Sequence, residues 1–101
     1  MLSDVRVEVE EVRGRCAAGY RKGDSFILRG FYIEAEEGVR ICLHALIAMS
    51  TLLSPFSHGV PAEQLGIGEG NTGRVQCPDP GPPITCGGTV IFKLVRLGEE
   101  G

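Results

Sequence analysis

The chain has 101 residues, 43% of them hydrophobic and 23% charged, with a formal net charge of −3. That length supports one domain, residues 1–101, with a single modest core. The ten Lys and Arg residues are scattered rather than clustered, which offers no electrostatic grip on nucleic acid or on an anionic membrane surface.

The start, MLSDVRVEVEEVRG, has mixed charges and no apolar run, and so fits neither a signal peptide nor a transit peptide. Val5, Val7 and Val9 alternate with Arg6, Glu8 and Glu10, the period of a half-buried strand, expected over 4–13. Gly14 ends it, and RCAAGYRKGD (15–24) reverses the chain. Short strands are expected at Phe26–Leu28 and Phe31–Ala35, with Phe31, Ile33 and Ala35 on one face.

Glu36-Glu37-Gly38 is expected to open a helix from Val39 to about Leu53, with both carboxylates against its N-terminal dipole. The helix would be apolar around most of its circumference, with a polar stripe through Arg40, His44 and Thr51. Its apolar segment, Ile41 to Leu53, is shorter than the roughly 20 residues of a membrane span. Pro55 and Ser57-His58-Gly59 should end the helix. Residues 61–73 read as a mobile glycine-rich loop. Arg74–Cys77 is a short strand, followed by the stiff loop PDPGPP, and Thr89–Arg96 is the last strand. In TVIFKLVR the apolar residues fall on both faces, which predicts a central strand. The expected fold class is α+β, a small, mainly antiparallel sheet with one buried helix packed on it.

The expected compartment is the cytoplasm, where thiols stay reduced. The four cysteines therefore read as free thiols or metal ligands rather than as a disulfide framework. Cys42, expected in the first helical turn, would lie about 200° from His44, so the string CLH is not a ligand pair. It is either a small core hydrophobe or a reactive thiolate favoured by the helix N-terminus. Cys16 lies in the loop, as a buried anchor or a functional group. Cys77 ends a strand and Cys86 begins the return, a spacing that lacks the two-residue zinc signature. A four-thiolate site with Cys16 and Cys42 stays open, as does a Cys77–Cys86 disulfide in an oxidising setting.

Asp79 sits between Pro78 and Pro80, which should hold it extended and display its carboxylate to a pocket. A stiffened hairpin connection is the plainer alternative. His44 reads as a solvated or interface residue, and His58 as a cation near a helix C-terminus. No nucleophile elbow, Walker or dinucleotide glycine pattern occurs.

The pieces VRVEVEEVRGRCAAGYRKGDSF, ICLHAL, QCPDPGPP and GGTVIFKLVR together resemble an uncharacterised family of small archaeal and bacterial cysteine-containing proteins. The resemblance covers most of the chain except 61–73 and brings no assigned activity. Its signature falls on Cys16, Gly19, Gly23, Asp24, Cys42, His44, Cys77, Asp79 and Pro80. Members often place glycine where Cys86 stands, so the resemblance implies a three-thiol cluster of Cys16, Cys42 and Cys77.

The leading expectation is a small soluble binding protein. Cys16, Cys42 and Cys77 would converge at the N-terminal end of the helix as a site for a soft metal, zinc or iron, or for a small cofactor. Asp79, His44 and Asp24 would contribute to ligand binding. A second reading is a structural or interaction module whose cysteines are core residues and whose apolar helix packs in a homo-oligomer. A third is a thiol-dependent redox enzyme with Cys42 as nucleophile.

Overall fold

The computed structural model describes residues 2–97. The valine alternation near the start becomes β1 (Val5–Gly14), followed by β2 (Ser25–Arg29) and β3 (Tyr32–Ala35). After the single α-helix, α1 (Leu43–Ser57), come a 3₁₀ turn (Ala62–Leu65), β4 (Gly68–Glu69), β5 (Thr72–Gln76) and β6 (Gly88–Arg96). The strands form one sheet in the order β3-β2-β1-β6-β5-β4, with every neighbouring pair antiparallel. The fold is the α+β arrangement expected, and β6 is central as its two-sided apolar pattern required.

Register explains which side chains meet the helix. Val7 pairs with Phe26 on one side and Leu94 on the other, and Val9 pairs with Phe92. Paired residues share a face, and these five side chains are all buried. Ala45, Met49, Leu53 and Phe56 of α1 are buried against them, at the spacing that puts one stripe of a helix toward a sheet. The opposite sheet face carries Arg6, Glu8, Lys93 and Arg74, held in register by the same pairs. Glu10 is the extra residue of a bulge in β1, and its carboxylate takes two hydrogen bonds from Arg74, at 2.7 and 3.0 Å. The edge strand β3 carries Tyr32 and Glu34 on the outer face, in register with Arg29 and Ile27.

Three expectations about α1 and its surroundings are corrected. The helix starts at Leu43, not Val39, with Cys42 as its N-cap in an extended conformation. Glu36 and Glu37 sit in a turn closed by the Val39 N–H to the Glu36 carbonyl, so no carboxylate lies in the first helical turn. Gly38 has φ +82°, a left-handed conformation that glycine adopts freely and that halts any helix there. The helix also runs past Pro55 to Ser57, so its last turn contains a proline that lacks the backbone donor and crowds the carbonyl one turn back. Leu43 and Ile47 point outward at 65% and 61% exposure; Arg40 lies outside the helix, so the polar stripe is reduced to His44 and Thr51.

Phe31 was expected beside Ile33 in a strand but falls in the β2–β3 turn and is 78% exposed. The loop at 61–73 is also more regular than expected. Ala62 is fully buried, its N–H donates to the Gly70 carbonyl, and Gly70 N–H donates to the Glu63 carboxylate at 2.7 Å. Glycines that look like looseness in the sequence here supply the turns of a hairpin.

Arg96 joins these parts. Its guanidinium donates to the carbonyls of Phe56 (2.5 Å), Val60 (3.0 Å) and Gly70 (3.1 Å) and to Asn71 Oδ1 (3.0 Å). It also lies 4.5 Å from the centroid of the Phe56 ring. Part-buried carbonyls at the C-terminal end of α1 thus have a charged donor. Arg96→Met should lower the unfolding free energy by about 1.5–3 kcal/mol in urea denaturation, the worth of hydrogen bonds to a charged group. Arg96→Lys should recover little of this, because a point charge cannot copy the planar fork.

Candidate functional site

The site begins in the reversing loop at 15–24. Gly19 N–H donates to the Cys16 carbonyl at 3.0 Å, and Arg21 N–H donates to Asp24 Oδ2 at 2.9 Å. Gly23 and Asp24 are tied in turn to the backbone of Val9. The loop held this way drives Tyr20 into the core. Its ring meets Phe92 edge-on, with centroids 5.6 Å apart, and its hydroxyl accepts the Cys42 N–H at 2.7 Å. Burial pushes the Tyr20 phenol above its usual range, the Cys42 N–H pulls it partly back, and the nearby Cys42 and Cys16 thiols add to the rise.

Around this anchor lies a cavity of about 270 Å³ whose lining includes Cys16, Cys42, His44, Cys77 and Asp79. The wall is mostly apolar, with Ala17, Ala18 and Pro78 between the functional groups. Four separate stretches contribute: the loop after β1, the start of α1, the segment after β5 and Gly88 at the start of β6. Cys16, Cys42 and Cys77 are each half-buried and pack against the core. Cys86 is exposed, does not line the cavity, and all four cysteines are free thiols.

The expected ligand set has a different form. Among the described residues, no three His, Cys, Asp or Glu side chains stand close enough together to hold a metal ion. The thiols share a wall without sharing a coordination point. Cys42 and His44 do line the same cavity, against the expectation that they face opposite ways. That expectation assumed helical geometry at both residues, and Cys42 has extended backbone, with φ −71° and ψ 127°. Asp24 is not in this cavity; it lines a neighbouring one, beside Arg21.

Asp79 is also placed differently. Its carboxylate is not displayed but caps its own loop, accepting Gly81 N–H at 2.9 Å and the Thr85 hydroxyl. The double glycine at the loop exit belongs to the same packing. A Cβ on Gly87 would collide with Asp79 Oδ2, and one on Gly88 would collide with the backbone at the end of β1. The PDPGPP loop is a fixed wall whose shape requires small residues opposite it. His58, at the C-cap of α1, has its Nδ1 2.8 Å from the Ser54 carbonyl. A carbonyl only accepts, so Nδ1 carries the proton.

Tyr20, Thr85 and Gly87 shape the site, and the sequence reading singled out none of them. Tyr20 is flagged only as a lone aromatic in a glycine-rich loop, a position with no periodic signal. None of the protein-family models, curated proteins or solved structures compared with the chain matches it. No helix among the described residues is long and apolar enough to cross a membrane.

The Thr85 hydroxyl and Gly81 N–H hold the Asp79 carboxyl below its ordinary value of 3.8. A depressed value means that the carboxylate stabilises the folded loop above the ordinary value, and that this is lost as pH falls below it. The Gly81 amide should therefore lose hydrogen-exchange protection as the pH is lowered through that range. Asp79→Asn should show reduced protection at neutral pH and a flat acid dependence.

Proposed function

We propose that the protein binds a compact ligand carrying a soft, thiol-seeking centre in the cavity lined by Cys16, Cys42 and Cys77. The observation that carries this reading is the meeting of these three thiols in one cavity from stretches far apart in the chain, while Cys86 stays outside. The cavity is small and mainly apolar, which suits a ligand of few atoms rather than a polymer. His44 on the same wall supplies a polar group to orient it, while Asp79, engaged by Gly81 and Thr85, holds the loop that closes the wall. The spacing of the thiols favours a ligand touched by one or two sulfurs over an ion enclosed by several.

Phenylarsine oxide is a suitable probe, because trivalent arsenic exchanges its oxygen for two thiolate sulfurs with release of water. Cys86→Ser protein should take up one equivalent, and the adduct should shield two of the three cavity thiols from iodoacetamide, as read by peptide mass spectrometry. Failure of the probe to slow alkylation of any cavity thiol would remove the reading.

A second reading is a self-associating structural module. Its support is the unpaired edge of β3 beside an apolar cavity of about 260 Å³, formed between α1 and the β2–β3 hairpin by Leu28, Ile33 and Leu46, with Phe31 at its margin. Phe31 and Tyr32 are each 78% exposed. A second copy is the occupant that can satisfy both features. Antiparallel pairing of β3 with its twin, Ile33 opposite Ile33, keeps the apolar faces of both sheets on one side. Sedimentation equilibrium should then show a dimer that Phe31→Asp converts to a monomer; a wild-type monomer at high concentration would refute it.

A further inference from the structure

We propose that Arg21 and Arg40 form a binding site for the oxyanion of a small molecule, a phosphate or a carboxylate group. The proposal goes beyond the thiol cavity and holds whether or not the thiols bind a ligand.

The residues line a second cavity of about 400 Å³, between the reversing loop and the segment leading into α1. Its wall is mostly polar, in contrast with that of the thiol cavity. Both walls are fixed by hydrogen bonds already described, above all the Tyr20 hydroxyl to Cys42 N–H contact at 2.7 Å that ties one segment to the other. Arg21 comes from one wall and Arg40 from the other, which puts two guanidinium-bearing side chains in the lining that an anion would enter.

Arg13, Arg29 and Arg74 are paired with Glu11, with Asp4 and Glu34, and with Glu10, and Arg96 is occupied by backbone carbonyls. Arg21 and Arg40 form no ion pair among the described residues. Of the other cations, Arg6, Arg15, Lys22 and Lys93 likewise form no ion pair among the described residues, but none of these four lines this cavity. The one carboxylate in the lining, Asp24, has its Oδ2 engaged by Arg21 N–H. Two guanidinium groups against one carboxylate, Asp24, leave this polar lining with one formal positive charge, in a chain whose net charge is −3, and an anion would offset it.

The test is an NMR titration of the full chain with sodium phosphate and, separately, with sodium acetate, each against sodium chloride at matched ionic strength. Phosphate, acetate or both should produce saturable amide shifts confined to Gly19–Lys22 and Gly38–Arg40. Arg21→Gln/Arg40→Gln should weaken that binding at least tenfold, since hydrogen bonds to a charged group are worth this much or more. Arg6→Gln is the control, as Arg6 is exposed on the far sheet face and outside the cavity. The exposed positions of Arg21 and Arg40 leave the fold intact, which thermal melting checks. Shifts no larger than those from chloride, or equal weakening by Arg6→Gln, would overturn the proposal.

Discussion

The hydrogen bond from the Cys42 N–H to the Tyr20 hydroxyl, 2.7 Å long, is the contact on which both cavities depend. It supplies a partner for a backbone donor at the start of α1, where helix N–H groups lack one. Cys42 offers no side-chain cap, and its carbonyl accepts Leu46 N–H at 3.0 Å, so this residue is the point where the extended segment becomes helix. The Tyr20 ring, edge-on to Phe92 of β6, refers that point to the centre of the sheet. A neutral hydrogen bond contributes only about 1 kcal/mol net, far less than the burial of Phe26, Phe56 and Phe92. Its weight is positional: burial sets how firmly α1 sits on the sheet, and Tyr20 sets where it begins.

The other end of α1 is held by a different chemistry. Arg96 reaches the Phe56 carbonyl and the following loop, so a charge on the central strand fixes the helix C-terminal end. Between these ends the helix contributes only a narrow stripe, Ala45, Met49, Leu53 and Phe56, to a sheet six strands wide. The sheet is wider than one helix can cover, which leaves the groove toward β3 and the cavities around the N-terminal end. The openings are a consequence of one helix covering a broad sheet.

How far the sequence discloses this depends on whether a feature is periodic. β1 alternates clearly and β6 is apolar on both faces, and their identity as strands and the central place of β6 follow from that; their pairing with each other does not. The start of α1 does not, because Val39 and Ile41 are apolar and partly packed on the core while belonging to extended chain. Apolar spacing alone cannot separate these cases; Gly38, in a left-handed conformation, was the available signal. The misplaced start also produced the wrong angular relation between Cys42 and His44. Asp79 failed for another reason: proline stiffness predicts the loop backbone, but not which nearby donors, Gly81 and Thr85, will take the carboxylate. Cys16, Cys42 and Cys77 line one cavity because strand ends and a helix start share one end of the sheet, but the three-thiol cluster that the resemblance implies does not form a metal-holding group among the described residues.

The same topology accounts for two cavities of unlike chemistry lying side by side. The loop after β1 enters with Cys16, Ala17 and Ala18 on the thiol cavity and leaves with Arg21 and Asp24 on the polar one. Tyr20 turns inward between them, and Ala18 lines both. The segment before α1 is divided in the same sense, with Arg40 on the polar side and Cys42 on the thiol side. Extended chain sends successive side chains to opposite faces. Arg40 and Cys42 are two positions apart, with Ile41 between them, so alternation alone would put them on one face; the two nonetheless line different cavities. A helix begun at Val39 would also set Arg40 and Cys42 on opposite sides, about 200° apart, so the division does not depend on the extended backbone. The short stretch at 39–42 thereby runs past a soft, apolar wall and a charged one.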